Sequence, residues 1–130
     1  MGAFVSGLDA GKIYQTWPLM ENNYFPNDFF LKTYRDVFKL DNHSLVQFYH
    51  RNLAYLITIY IFILTIFIYN KKLIGLYYPL KFLLFFLFLQ AILGIFTLIS
   101  NLNIYLASAH QITSVLLVFS ALNLYYFRTK

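Results

Sequence analysis

The chain has 130 residues, 60% hydrophobic and 12% charged, a balance too poor in charge to wet a globular surface of this size, so it reads as a membrane protein. It has no cysteine, which excludes thiolate metal sites, iron–sulfur clusters, disulfides and cysteine nucleophiles. The net charge of +5 is no nucleic-acid patch: all five acids precede residue 42, and beyond it every fixed charge is positive and all but Arg51 fall in one short connection or at the C-terminus.

Residues 1–45 differ in kind from the remainder of the chain. Gly2 to Leu8 reads as the last two turns of a membrane helix whose beginning is missing, so that residues 1–9 are expected to be the outer end of a truncated span. Residues 10–45 read as an outer loop with Trp17, Pro18 and Pro26 as fixed points. Within it, Phe29, Phe30, Tyr34, Val37 and Phe38 have rough helical spacing with charges between, which predicts an interfacial amphipathic helix from Asp28 to Leu40. Asp9, at the helix exit, is expected to cap or pin the loop, and His43 to be a solvated loop histidine.

Three complete spans come next, at residues 46–69, 80–99 and 104–127, each near the 20 or so apolar residues that cross a hydrocarbon core. Asn70, Lys71 and Lys72 stop the first, Pro79 opens the second from its first turn, and Arg128 and Lys130 close the third. Residues 70–79 are then an inner loop, 100–103 an outer turn and 128–130 an inner tail. The runs are continuously apolar over helix lengths instead of alternating, which argues against a barrel. The fold class expected is an all-α membrane protein, a transmembrane helical bundle of three complete spans plus the outer end of a truncated fourth. Three lysines between Asn70 and Lys81, two basic residues at the C-terminus and none between Ser100 and Asn103 put the inner loop and C-terminus on the cytoplasmic or matrix side.

His50 and His110 then lie near the outer face, at depths differing by about one turn at ~1.5 Å per residue. An imidazole is costly to carry into hydrocarbon, so each implies a partner. Two at matching depth suit one shared ligand, and a haem iron takes axial imidazoles from opposite sides of its ring. The stripes His50, Ala54, Thr58, Ile61, Thr65 and Ala107, His110, Ser114, Leu117, Ala121 keep to helical steps with small side chains that admit a flat macrocycle or another helix. The same pattern is met by ordinary small-residue packing, with each histidine hydrogen-bonded across an interface. Arg51, beside His50, is suited to pair with a haem propionate or to snorkel toward lipid head groups. Gln47 and Gln111 flank the histidines and either orient them, donate to propionates or bond between helices. Gln90, Gly94 and Thr97 form a packing face on the second span without a reactive group. No nucleophilic triad, phosphate loop or carboxylate pair is present.

The strings Gly2 to Gly11 (GAFVSGLDAG), Thr16 to Met20 (TWPLM), Val46 to Arg51 (VQFYHR), Leu89 to Gly94 (LQAILG) and Ala109 to Gln111 (AHQ), in this order, resemble the C-terminal half of the haem A synthase family, proteobacterial or mitochondrial type. The resemblance covers nearly the whole chain. It implies two four-helix halves related by duplication, each presenting a histidine pair to a haem near the outer face, and oxidation of the haem O C8 methyl to the formyl of haem A for cytochrome oxidase biogenesis. By that resemblance the positions matching His50 and His110 hold haem b as an electron-transfer cofactor, with Arg51 beside it. The N-terminal half holds the substrate haem and a glutamate where this chain has Gln47, so no catalytic residue is expected here. The partners implied are the missing N-terminal half, haem O as substrate of the whole, the lipid bilayer, and contacts with haem O synthase or further copies of the chain, with no nucleic acid. The location implied is a bacterial cytoplasmic or mitochondrial inner membrane. Two other functions meet the same histidine pattern: a stand-alone bis-histidine membrane cytochrome, and a non-redox assembly subunit whose histidines pack. The short N-terminal helix end is expected of a fragment or a split gene product.

Overall fold

The computed structural model describes residues 1–28 and 40–129; nearly all of the expected interfacial helix, and Lys130, lie outside these. The described residues are helical with no strand, apart from an isolated bridge between Met20 and Asn23. The order is α1 (Gly2–Gly7), a 3₁₀ turn (Ala10–Lys12), α2 (His43–Asn70), a second 3₁₀ turn (Ile74–Leu76), α3 (Tyr77–Ile99) and α4 (Ile104–Thr129). Three of these segments are long and apolar enough to cross a membrane, which makes the protein an integral membrane helical bundle.

The helix ends have local causes. Asn42 caps α2, its side-chain oxygen accepting the Leu45 N–H at 3.0 Å, so the helix begins before the apolar run and takes in His43, expected in the loop. At the other end Lys72 is left-handed (φ 52°) and the N–H groups of Lys72 and Leu73 donate to the Tyr69 and Ile68 carbonyls, closing α2 with a Schellman turn. Pro79 needs no N–H partner in a first turn, which lets α3 start two residues ahead of it. α3 ends in a second Schellman turn, with Asn101 at φ 59° and the Leu102 N–H on the Thr97 carbonyl at 3.0 Å. Asn103 then caps α4 through the Tyr105 N–H at 3.0 Å.

That tight turn makes α3 and α4 an antiparallel hairpin in contact along most of its length. On α3 the stripe Leu80, Leu83, Leu87 and Thr97 is buried, with Gln90 and Gly94 half-buried between. On α4 the most buried positions are Thr113, Ser120 and Leu124, a short rotation from the stripe expected around Ser114 and Ala121; Ala121 is exposed. The buried hydroxyls of Thr97, Thr113 and Ser120 donate to carbonyls of their own helices at 2.7–2.8 Å, so the two helices close on small side chains without an orphaned donor.

α2 is held at its two ends by different means. At the lysine-bearing end Ile61 and Ile68 join Leu76, Leu80, Leu83, Leu87 and Leu124 in one apolar cluster. At the opposite end it is held by the loop, where Ala10, Tyr14 and Met20 are buried together with Leu45, Val46 and Gln47. Between these layers α2 and α4 share no extended contact among the described residues.

Candidate functional site

Both span histidines lie in the half of the bundle remote from the lysines, eight and seven residues into α2 and α4. His110 projects from α4 onto α3, its Nδ1 3.1 Å from the Gln90 carbonyl and its Nε2 3.2 Å from the Gln90 side-chain nitrogen. A carbonyl can only accept, so Nδ1 is the donor. In the neutral ring Nε2 then carries the lone pair, which the Gln90 amide meets with an N–H. The Cε1 edge of the ring abuts Gly94: a Cβ there would stand 2.9 Å from His110 Cε1 and 3.4 Å from Nδ1, so only glycine leaves room for it.

His50 is presented differently. It is half-buried on α2 and has no hydrogen-bond partner among the described residues. α1 crosses beside it, and a Cβ on Gly2 would meet His50 Cε1 at 3.9 Å, ordinary van der Waals contact. The two imidazoles stand on α2 and α4, whose backbones share no extended contact among the described residues.

Arg51 and Gln47 turn away from the membrane interior. The Arg51 guanidinium donates to the carbonyls of Tyr14 at 3.0 Å and Leu19 at 3.2 Å, and the Gln47 amide donates to that same Tyr14 carbonyl at 2.7 Å. Both therefore pin the loop onto α2, a role assigned to neither in the sequence, where lipid head groups and interhelical bonds were the structural alternatives. Gln47 Oε1 and Arg51 Nε are buried with no hydrogen-bond partner among the described residues. Gln111 is exposed, and Asp9 makes an exposed ion pair with Lys12 at 2.9 Å beside the first 3₁₀ turn. The loop is also stapled to the α3–α4 turn, where Gln15 donates to the Asn101 side chain and Leu102 packs on Gly11.

The site residue that sequence reading passed over is Gln90, taken for packing only. A signal was present: it is the sole amide in an otherwise apolar span, one turn from Gly94, and such a group inside hydrocarbon needs a partner. The donor set fits a haem. One imidazole carries its lone pair on Nε2 with its other nitrogen bonded to a carbonyl, the usual way a protein orients a metal-ligating histidine, and a second stands on α2 with no hydrogen-bond partner among the described residues. Among the described residues no cluster of three or more His, Cys, Asp or Glu side chains is arranged to hold a bare metal ion.

Comparison with known proteins gives the lineage. A family model described as cytochrome oxidase assembly protein, COX15-CtaA, matches residues 1–122. The heme A synthase of Pelagibacter ubique (strain HTCC1062) is 45% identical over 126 residues, covering 92% of this chain and 35% of its own length. That of Wolbachia pipientis wMel is 42% identical over 123 residues, with 93% and 33% covered. That of Rickettsia rickettsii (strain Sheila Smith) is 36% identical over 126 residues, with 91% and 35% covered. The chain thus spans about a third of the length of these curated relatives. No solved structure matches it significantly. The order of motifs, the helical membrane architecture and a match over almost the whole sequence agree: the chain belongs to the COX15-CtaA family of cytochrome oxidase assembly proteins.

Proposed function

We propose that this chain is the C-terminal, haem b-holding half of a haem A synthase, the enzyme that oxidises the haem O C8 methyl to a formyl group. The observation that carries the reading is the setting of the two imidazoles. His110 is fixed with its lone pair on Nε2, and His50 on α2 has no hydrogen-bond partner among the described residues. Haem b ligated by this pair would supply one-electron transfer. The chain's own part is to orient the ligands, through the Gln90 carbonyl and the space left by Gly94, and to cap the site with the loop that Arg51 and Gln47 hold down. Gln47 is a neutral amide committed to the Tyr14 carbonyl, so it cannot act as a carboxylate base. Catalysis accordingly belongs to the N-terminal half, with haem O as the substrate of the whole enzyme.

A second reading has an observation of its own. Both nitrogens of His110 are already bonded to Gln90, as in a histidine that merely joins α3 to α4 in a non-redox assembly subunit. A reduced-minus-oxidised optical spectrum of the purified protein separates the two. The cofactor reading expects a low-spin b-type spectrum, lost in His50→Ala and in His110→Ala and kept in Gln47→Ala. A protein purified with its partner half that has no haem absorbance would overturn it.

A further inference from the structure

The contacts of Gln90 with His110 assign to this glutamine two separable tasks. The carbonyl task does not depend on the side chain: by accepting the Nδ1 proton at 3.1 Å it forces the lone pair onto Nε2. The side-chain task opposes ligation, because the amide nitrogen sits 3.2 Å from that same Nε2, in the place an iron would need. One nitrogen lone pair cannot serve an amide N–H and a metal at once. Gln90 Oε1 is buried with no hydrogen-bond partner among the described residues, so on its oxygen side none of them holds the amide where it is. Gly94 keeps the ring pressed to α3, so the amide, with its rotatable stem, is the group that yields.

We propose that Gln90 is the positioning residue of the His110 ligand, its side-chain amide acting as a placeholder that satisfies Nε2 in the haem-free protein and swings aside when iron takes the nitrogen. This rests on the proposed cofactor role of the histidine pair. The placeholder spares the empty site a buried unpartnered acceptor and weakens haem uptake by the strength of one hydrogen bond.

The test uses the full chain in lipid nanodiscs, titrated with ferric protohaem and followed by its Soret band, together with ¹⁵N spectra of the histidine rings before haem is added. The haem-free wild-type protein should show His110 as the neutral tautomer protonated at Nδ1. Gln90→Leu removes the competing N–H at similar volume and should bind haem about three- to tenfold more tightly. Gln90→Glu offers a carboxyl that holds Nε2 more strongly than an amide does, as an ion pair or through its own O–H, and should bind more weakly. A residue that only packs would lose affinity in both variants or change it in neither. Either of those results, or a His110 protonated at Nε2 in the wild type, overturns the proposal. A wild-type chain that takes up no haem sinks the cofactor reading as well, whereas one that takes it up while both variants bind alike sinks the placeholder alone.

Discussion

Two glycines in this chain face side chains at nearly the same distance, yet they should respond unequally to an added methyl group. At Gly94 the nearest obstacle is His110 Cε1 at 2.9 Å, part of a rigid ring tied at both nitrogens to the same helix that carries the glycine. At Gly11 it is Leu102 Cδ2 at 2.8 Å, the far end of a side chain that can rotate away. Gly94→Ala should therefore break the His110–Gln90 pair and cost about 1–3 kcal/mol, and Gly11→Ala less than about 1 kcal/mol. Thermal unfolding of both variants in the same detergent checks the ranking, and equal destabilisation would refute it. His50, His110 and Arg51 were legible in the sequence because ionisable groups at a membrane boundary stand out against apolar runs. The bonds Arg51 makes were not, since they end on the backbone carbonyls of Tyr14 and Leu19, which carry no residue-specific signal.

The helices depend on amides at their ends more than their apolar sequences suggest. Asn42 and Asn103 each supply a cap to a membrane helix, and Asn101 supplies the left-handed residue between α3 and α4, a conformation asparagine tolerates better than most side chains. Asn103→Ala should cost about 1 kcal/mol through the lost bond to the Tyr105 N–H, while Asn103→Ser should recover most of it. Chemical denaturation followed by helix circular dichroism measures both, and a neutral alanine variant would mean that water or lipid replaces the cap. Helix identity could be read from length and continuous apolarity. Starts and rotations could not: α2 begins at His43 because Asn42 caps it, and α4 presents Thr113 and Ser120 to α3 because their hydroxyls are satisfied within the helix. Hydropathy scores those hydroxyls as polar and would set them apart from the packed face.

For the whole molecule, the lysines make an orientation testable against a clean background, because the chain has no cysteine of its own. Lys12→Cys should react with an impermeant maleimide from the outer side of intact cells, and Lys72→Cys only after lysis. The reverse pattern would invert the topology. Three-dimensional closure at the end remote from the lysines was beyond the reach of local sequence, since Gln15 meets Asn101 from 86 positions away. That separation also sets a clock. A ribosome adding about 5–20 residues per second needs roughly 4–17 s between making one partner of this contact and the other. For the later part of that interval α1 and α2 are made and the hairpin is not, so the fastening of an early-made loop waits for a late-arriving turn.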